Sequence, residues 1–377
     1  MDYSKFFSAD VPSFLRSPVR EIFRKVDLGS ICSFAGGYPS ESSFPVAEIE
    51  RLAGKVLEKY GTRALQYGAT QGVPELREVI ARRYGVPVSQ VQITTSSQQG
   101  IDVTTRILAD PGDIVLSEPP TYLGALQSFR AYRARVMAPG DYTPAAGKAK
   151  FLYVIPDFNN PTGRTLSLPE REALVEKARG LDVLIVEDSP YREVRYAGTP
   201  LPSIRSLAPE RTLHLGSFSK IFAPGFRLGW IIGPEALLEQ IYVCKQSLDL
   251  CPPVFDQYMA AEFMGSGALD ANLSKTVAEY RQRRDRMLSL LRQHMPEGVR
   301  WTEHEGGLFL WLTLPEAVDT VEMYDEALAR GVAYVAGSFF YPDGSHRNTM
   351  RLNYTYIAEE KMAPGVALLA EIIRSRL

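Results

Sequence analysis

From about residue 91 the chain alternates short apolar runs with longer helical stretches, and this alternation constrains the fold more than any other feature. The runs are VQITTS, DIVLSEP, FLYVIPDF, VLIVED, TLHLGS and RLGWIIG, and each ends in polar or glycine-containing residues. Near-continuous β-branched runs of this kind are typical of strands that are covered on both faces. The pattern therefore predicts an α/β fold in which a largely parallel sheet lies between helices.

The flanking segments predict further helices and a smaller α+β unit. We expect helices over 12–26, 45–60 and 73–84, and a long charged helix over 270–294. Strands are expected in GGLFLWLTL, GVAYVAG and TMRLNY. The predicted domains are an N-terminal arm with part of the small domain over 1–45, a large domain over 46–265, and a small C-terminal domain over 266–377.

Charge and composition exclude several classes of partner. Lys and Arg total 42 against 44 Asp and Glu, for a net charge of -2, so the sequence shows no electrostatic footprint for nucleic acid or an anionic membrane. The N-terminus lacks a signal-peptide core, and no apolar run reaches the roughly 20 residues of a membrane span. The cysteines and histidines show no metal-ligand spacing. We expect a metal-free cytoplasmic protein that acts on small molecules.

Polar residues gather where the predicted strands end. The clusters are SSQQG from Ser96, DFNNPTG from Asp157, EDSPY from Glu187 and SFSK from Ser217. In open α/β sheets the ligand-binding groups meet at the carboxyl ends of the strands. These clusters therefore form the candidate functional site.

Two of the clusters carry ionisable groups suited to chemistry on an aldehyde. Asp188 ends an apolar strand, so its carboxylate needs a cationic or hydrogen-bond-donating partner, and a protonated ring nitrogen would serve. The alternative is that Asp188 caps the following turn. Lys220, close to the cation Arg227, is a candidate for imine formation and for a base once released. The alternative for each cation is a solvated loop charge.

The remaining requirement is a place for an anion. Residues 96–100 lie between a strand and a helix, and a helix N-terminus binds phosphate readily, although a plain N-cap is the alternative. The fork of Arg227 also suits a phosphate. No G-x-G-x-x-G or Walker motif indicates a nucleotide site. An anion site, an imine lysine, an acid for a ring nitrogen and an aromatic residue together match pyridoxal phosphate.

The ordered motifs carry a resemblance to a known family. From SPVREIF and SFAGGYP through LQYGATQG, FNNPTG, VEDSPY and SFSK to MRLNY, the sequence resembles a fold-type I pyridoxal-phosphate-dependent aminotransferase. It is most similar to the branch of 2-aminoadipate and kynurenine aminotransferases. The resemblance covers nearly the whole chain, and it implies a mostly parallel seven-stranded sheet between helices with a smaller α+β domain.

The resemblance implies a role for each cofactor residue. Lys220 would carry the cofactor as an imine and act as base, and Asp188 would pair with the ring nitrogen. Asn160 and Tyr191 would hydrogen-bond the ring oxygen O3′, and Tyr122 would stack on the ring. The residues that would surround the phosphate are Ser97, Gln98, Ser217, Ser219 and Arg227. Tyr67 resembles the residue that reaches the neighbouring subunit's site, so a homodimer with shared active sites is implied.

The resemblance also implies the substrate residues. Arg351, together with Asn160, would hold the substrate carboxylate, and the alternative for Arg351 is an ordinary strand-edge arginine. Arg20 would meet the distal group of the substrate or belong to an exposed row with Arg16 and Arg24. Gly37, Val19 and Leu250 would line the pocket.

The sequence departs from this branch in two places. AGGYP stands where AGGLP is usual, so Tyr38 would enlarge and polarise one wall of the substrate pocket. The segment over 139–156 is shorter than usual, so a surface helix is expected to be missing there.

The expected reaction is ping-pong transfer of nitrogen from an L-amino acid with an acidic, aromatic or aliphatic side chain to a 2-oxo acid such as 2-oxoglutarate. A lyase, decarboxylase or racemase on the same fold is one alternative. A ligand-sensing domain of a regulator is another, disfavoured because the motif-bearing fold begins almost at Met1 with no DNA-binding domain ahead of it.

Overall fold

The computed structural model describes residues 1–14 and 31–377, so most of the helix expected over 12–26 lies outside the described residues. The strands, β1 to β13 in chain order, are Cys32–Ser33, Val91–Thr94, Ile114–Leu116, Arg135–Met137, Ala149–Val154, Leu184–Asp188, Thr212–Ser217, Gly229–Ile232, Arg300–Trp301, Phe309–Thr313, Val332–Ala333, Val335–Ala336 and Thr349–Asn353. The helices, α1 to α11, are Val46–Tyr60, Pro74–Tyr84, Ser96–Leu108, Leu123–Ala131, Leu168–Gly180, Ile204–Leu207, Glu235–Gln246, Val254–Gly265, Ala268–His294, Tyr324–Ala329 and Glu359–Arg374.

The main sheet has seven strands in the order β2-β8-β7-β6-β5-β3-β4. Strand β8 is antiparallel to β2 and β7, and the other neighbours are parallel. The chain reaches β8 from β7 through residues 218–228, which contain only the 3₁₀ turns Phe218–Lys220 and Pro224–Phe226. A parallel partner needs a crossover of about a dozen residues or more, usually helical, so this short connection favours an antiparallel strand. The expected mostly parallel sheet is confirmed.

Both faces of this sheet are buried, as the apolar runs predicted. Val115, Phe151 and Val186 belong to one core cluster, which includes residues of α3 and α4. Their neighbours Ile114, Leu152 and Ile185 belong to a second cluster, with residues of α5 and α6. Because successive side chains of a strand point to opposite faces, each run supplies both cores. Covered on both sides, the sheet leaves the ends of its strands as the place for a ligand.

The C-terminal part of the chain forms a separate antiparallel sheet. Its order is β12-β13-β10-β9, and the strand expected in GVAYVAG is divided between this sheet and a two-stranded one, β1-β11. Tyr334 lies between the two short strands, where its hydroxyl donates to the carbonyl of Thr320 at 2.6 Å. Pairing of β1 with β11 joins residues 32–33 to the C-terminal part. The domain boundaries themselves stay a prediction.

A few elements differ from the sequence pattern. The helix expected over 45–60 begins at Val46, and Pro45 is its N-cap. Strand β4 was not among the apolar runs because it is a three-residue edge strand that begins with the exposed Arg135. Between β4 and β5 the chain forms only the 3₁₀ turn Pro144–Ala146. No helix of the described ranges has both the length and the apolar character needed to cross a membrane.

A buried ion pair holds the loop that follows β5. Arg171 is fully buried and pairs with Asp157 at 2.7 Å. Its guanidinium also donates to the carbonyls of Leu166, Pro156 and Pro202, at 3.0, 3.1 and 2.9 Å. A buried guanidinium needs this degree of satisfaction to offset its desolvation. The network fixes both ends of the loop 156–166, which carries Asn160.

Candidate active site

A cavity of about 670 Å³ lies where the predicted polar clusters meet, at the carboxyl ends of β5, β6 and β7. Thirteen of the residues singled out from the sequence line it, namely Gly37, Tyr38, Ser97, Gln98, Tyr122, Asn160, Asp188, Tyr191, Ser217, Ser219, Lys220, Arg227 and Arg351. They come from segments hundreds of residues apart. The fold therefore brings together most of the site expected from the motifs.

Lys220 ends the 3₁₀ turn that follows β7, and its ammonium points into the cavity. The Nζ atom donates to the carbonyl of Gly37 at 2.7 Å. Burial, with the positive charges of Arg351 and Arg227, lowers the pKa of Lys220 to about 8. A lysine with this pKa is about one-tenth neutral amine at pH 7, and the neutral amine is the form that attacks a carbonyl.

Asp188 is the last residue of β6 and is 2% exposed. Its Oδ2 accepts a hydrogen bond from the hydroxyl of Tyr153 at 2.7 Å, and its Oδ1 has no hydrogen-bond partner among the described residues. Burial raises the pKa of Asp188 to about 7, although the Tyr153 hydrogen bond and His214 act in the opposite direction. A buried carboxylate oxygen that lacks a donor beside a cavity suits a ligand that carries an N–H group.

The preceding acid, Glu187, faces the other side of the sheet. It is fully buried, and its carboxylate lies 3.1 Å from Nδ1 of His214 while accepting from the backbone N–H groups of Ile204 and Arg205. Alternation along the strand separates the two acids. Only Asp188 of the pair can therefore serve the cavity.

Arg351 lies on β13, which has neighbours on both sides, so the alternative of a strand-edge arginine does not hold. The guanidinium donates to Oδ1 of Asn160 and to the carbonyl of Ala35, each at 2.8 Å, and its Nε has no partner among the described residues. Burial lowers the pKa of Arg351 to about 10. It also lies 4.3 Å from the ring centre of Phe309. This is a buried, incompletely paired cation suited to a carboxylate.

Asn160 connects the arginine with a tyrosine. While its Oδ1 accepts from Arg351, its Nδ2 donates to the hydroxyl of Tyr191 at 3.3 Å. Burial raises the pKa of Tyr191, so the phenol stays protonated and can donate a hydrogen bond. The pair places one amide and one hydroxyl against the cavity between Arg351 and Asp188.

The opposite end of the cavity is built from α3 and the β7-β8 connection. Helix α3 begins at Ser96, and Arg227 donates to Oγ of Ser96 at 2.8 Å. The backbone N–H of Ser219 donates to Oγ of Ser217 at 3.1 Å. A helix N-terminus, two serines and a guanidinium form a site for an anion. The Gln98 amide donates to the carbonyl of Gly124 and to Ser128, so it is directed towards α4.

Glycine at position 229 makes this end possible. A Cβ there would lie 2.6 Å from the backbone nitrogen of Ser97 and 2.7 Å from the carbonyl carbon of Ser96. Strand β8 thus passes directly against the first turn of α3. The glycine in the sequence motif RLGW is required by this close approach.

Tyr38 and Tyr122 supply the aromatic side of the cavity. Tyr38 contacts Tyr356 edge to face with ring centres 5.4 Å apart, and its backbone carbonyl accepts from Asn353 and Thr355. Tyr122 is the N-cap residue of α4 and lines the cavity. These rings can contact a flat ligand or an aromatic side chain.

Two of the predicted residues do not line the cavity, and two more lie outside the part of the chain that the structure describes. Tyr67 and Leu250 lie outside it, 79% and 49% exposed. Val19 and Arg20 lie outside the described residues. The roles of these four residues stay predictions.

Several lining or supporting residues were missed in the sequence. They include Tyr153, Ile155, Phe309 and Phe340, all close to the predicted polar groups. Alternation along β5 gave a partial signal, since Tyr153 and Ile155 face the same side. Aromatic and aliphatic residues at such positions are typical of the hydrophobic core. The sequence pattern alone therefore could not identify these four as residues of the site.

Residues 35–366 match the family model described as Aminotransferase class I and II. The chain belongs to this family. The match confirms the expectation drawn from the motifs.

Individual relatives are similar along the whole chain. An aromatic-amino-acid aminotransferase 1 of Thermococcus litoralis is 42% identical, with 100% of this chain and 96% of the relative covered. The solved kynurenine aminotransferase of Pyrococcus horikoshii, in complex with PMP, is 40% identical with a TM-score of 0.95, covering 100% and 98%. The solved α-aminoadipate aminotransferase of Thermus thermophilus, complexed with N-(5'-phosphopyridoxyl)-L-leucine, is 33% identical with a TM-score of 0.92, covering 100% and 99%.

The expected fold type I and the expected enzyme class are therefore confirmed, and the chain is a pyridoxal-phosphate-dependent aminotransferase. The residues present fit this cofactor. Oδ1 of Asp188 has no donor among the described residues, Lys220 has a lowered pKa, and the Ser96–Arg227 end offers an anion site. Each chemical feature of the cofactor, its ring nitrogen, aldehyde and phosphate, has a complementary group in the aminotransferase.

Substitution of Gly229 tests the close approach of β8 to the anion site. We expect Gly229→Ala to displace Ser96 and Ser97, because the new Cβ would contact backbone atoms that cannot move independently. Overpacking of this kind costs about 1–3 kcal/mol, and we expect affinity for pyridoxal phosphate to fall about tenfold. The measurement is a cofactor titration of the apoenzyme by absorbance.

The matched control is Gly225→Ala in the same connection. Apart from its chain neighbours, a Cβ at position 225 meets no atom of the described residues within 4 Å, so this variant should bind the cofactor like the unchanged enzyme. Equal affinities of the two variants would contradict the steric explanation.

Proposed function

We propose that this aminotransferase uses Lys220 as its cofactor-linked lysine and catalytic base, Asp188 as the partner of the ring nitrogen, and Arg351 as the carboxylate clamp. The observation that carries the proposal is the presence of all three in one cavity, each buried in a way that shifts its pKa. Perturbed ionisable groups that share a cleft are typical of catalytic sites.

We propose the remaining cofactor contacts on residues that the sequence resemblance singled out and that line the cavity. Tyr122 would stack on the ring, while Asn160 and Tyr191 would hydrogen-bond its O3′ oxygen. The phosphate would be held at the other end by Ser97, Gln98, Ser217, Ser219 and Arg227. Gln98 contributes in this scheme as part of the first turn of α3, because its side-chain amide is directed to Gly124 and Ser128.

In this proposal the protein residues orient the substrate and move one proton. Arg351 and Asn160 hold the carboxylate, which fixes the Cα–H bond beside Lys220. The neutral amine of Lys220 would take the proton from the substrate Cα and hold it at Nζ for its later return. Pyridoxal phosphate, when bound, would supply an electron sink for this step and carry the nitrogen between the two substrates. Reversal with a second 2-oxo acid completes a ping-pong cycle.

The main chain over 35–38 indicates the direction of the substrate side chain. The carbonyl of Ala35 contacts Arg351, and the carbonyl of Gly37 contacts Lys220. A substrate held between Arg351 and Lys220 therefore extends towards Tyr38, where Tyr356 backs the ring. We infer that aromatic L-amino acids are preferred donors, with aliphatic and acidic donors also accepted and 2-oxoglutarate or a similar 2-oxo acid as acceptor. The names of the relatives, which include aromatic, kynurenine and α-aminoadipate aminotransferases, support this range.

We further propose a cytoplasmic homodimer with shared active sites. Large apolar side chains are exposed outside the cavity, including Leu65, Tyr67 and Leu250 at 71%, 79% and 49%. Exposed apolar surface of this kind is typical of a subunit contact. Tyr67 would then reach the neighbour's cofactor, and Leu250 its substrate. Val19 and Arg20 keep their proposed substrate roles from the sequence.

Replacement of Lys220 separates covalent attachment from binding. We expect Lys220→Ala to retain pyridoxal phosphate without a borohydride-reducible linkage, and to lose turnover by at least about 10³-fold, because both the attachment and the base are removed. Arg351→Ala provides the contrast. It should keep the reducible linkage while kcat/KM for the amino donor falls about 100-fold, as expected when a buried charge pair is lost. Full activity of Lys220→Ala would refute the assignment.

A donor screen tests the substrate class. Aromatic contacts contribute about 0.5–1.5 kcal/mol, so Tyr38→Leu should lower kcat/KM for phenylalanine about 2- to 12-fold relative to leucine. The screen compares phenylalanine, tyrosine, leucine, glutamate and 2-aminoadipate with 2-oxoglutarate as acceptor. A preference of the unchanged enzyme for the acidic donors, with no effect of Tyr38→Leu, would overturn the aromatic preference.

The oligomeric state tests the shared site. Sedimentation equilibrium should give at least twice the 42.0 kDa mass of one chain. Replacement of Leu65 and Leu250 by Lys should shift the protein towards the monomer, because charged side chains would enter the proposed contact. A fully active monomer would show that each site is complete within one chain.

A further inference from the structure

Asp188 forms a hydrogen bond with Tyr153, a residue outside the proposed catalytic set. The two oxygens of the Asp188 carboxylate differ in their hydrogen bonding. Oδ2 accepts from the hydroxyl of Tyr153 at 2.7 Å, whereas Oδ1 has no partner among the described residues, and Asp188 lines the cavity. The contact therefore divides the carboxylate into an oxygen bound to protein and an oxygen available to a ligand.

Tyr153 is held firmly enough to impose this division. It lies on β5 directly opposite Val186 of β6, two residues before Asp188. The side chain is 1% exposed, and its ring contacts Phe129 edge to face at 5.4 Å. Core side chains at this degree of burial cannot turn away without opening a void. The hydroxyl of Tyr153 is therefore held in one position beside Asp188.

We propose that Tyr153 is a positioning residue for the cofactor, whose hydroxyl fixes the Asp188 carboxylate with Oδ1 directed at the ring nitrogen of pyridoxal phosphate. The inference rests on the proposed role of Asp188. Tyr153 does not touch the cofactor in this scheme and acts only through the carboxylate.

The electrostatics of the pair give the contact a second effect. Burial raises the pKa of Asp188, and the hydrogen bond from Tyr153 opposes this rise, as does the nearby His214. Burial also keeps the pKa of Tyr153 well above its usual range, so the phenol remains a donor. A charge-assisted bond of this type stabilises the ionised carboxylate. Without this hydrogen bond Asp188 would be less fully ionised. It would therefore stabilise a protonated ring nitrogen less well.

The test compares Tyr153→Phe with the control Tyr334→Phe. Tyr334 is also fully buried and donates one hydrogen bond, to the carbonyl of Thr320, but it lies in the C-terminal part of the chain. Thermal unfolding of both apoenzymes establishes that each variant folds. Each variant is then titrated with pyridoxal phosphate and with its 1-deaza analogue, in which a C–H group replaces the ring nitrogen.

We expect Tyr153→Phe to bind pyridoxal phosphate about tenfold more weakly than the unchanged enzyme, the effect of a lost hydrogen bond to a charged group. It should bind the deaza analogue as the unchanged enzyme does, because no ring nitrogen is present to pair with Asp188. Tyr334→Phe should bind both compounds normally.

A spectroscopic readout tests the same idea in the holoenzyme. The visible absorption of lysine-linked pyridoxal phosphate changes with pH. A less positive ring raises the pKa of the linked nitrogen, so the midpoint of this change should move to higher pH in Tyr153→Phe. With 3-fluorotyrosine at position 153, a more acidic phenol of nearly the same shape, the midpoint should move to lower pH. This second variant keeps the test available if Tyr153→Phe does not fold.

The outcomes separate the possible failures. Equal weakening for both cofactor forms would indicate a packing role and overturn the proposal, as would unchanged affinity together with an unchanged absorption midpoint. If the unchanged enzyme failed to bind pyridoxal phosphate at all, the proposed function itself would fail. A loss specific to the compound with a ring nitrogen, with opposite midpoint shifts in the two variants, would support it.

Discussion

Incomplete pairing of buried charge is the constraint on which the site depends. Lys220, Asp188 and Arg351 share one cavity, and burial shifts the pKa of each towards the neutral form. Removing charged groups from water is costly unless partners compensate. Oδ1 of Asp188 and Nε of Arg351 have no partner within residues 1–14 and 31–377, and they mark where a ligand can supply compensation. A cofactor with a basic ring nitrogen and a substrate with a carboxylate have the required complementary groups.

The fold brings these charged groups together at the carboxyl ends of the strands. Parallel strands β5 to β7 present residues 153–160, 188–191 and 217–220 at one edge, and the short connection to antiparallel β8 returns Arg227 to the same edge. The backbone there is crowded, as the contact of Gly229 with the first turn of α3 illustrates. Below this edge the buried Arg171–Asp157 pair stabilises the loop that presents Asn160. Stability and ligand binding are thus supported by separate sets of charged residues.

Much of the fold could be predicted because its signals are local. The apolar runs around residues 151, 184 and 212 each form a strand of the main sheet. The helices expected over 45–60 and 73–84 each begin one residue later than expected and end at the expected residue. Strand β4 and the division of GVAYVAG were not predictable in this way. A three-residue edge strand has too little apolar pattern, and the partner of a short strand depends on which distant segment lies beside it.

The sequence alone determined which chemical groups are available at the site and which family the chain belongs to. Motifs such as FNNPTG, VEDSPY and SFSK can be recognised from the identity and order of their residues, without any knowledge of distances in the fold. The sequence also singled out Asp188 as the acid of interest. Only the tertiary structure decided how these groups pair. Tyr153 and Asp188, which are in contact, are separated by 35 positions in the sequence. Ala35 and Arg351, also in contact, are separated by 316 positions. Such contacts depend on strand register and on packing between sheets, which no local pattern encodes, and the lowered pKa of Lys220 arises from burial that exists only in the folded chain.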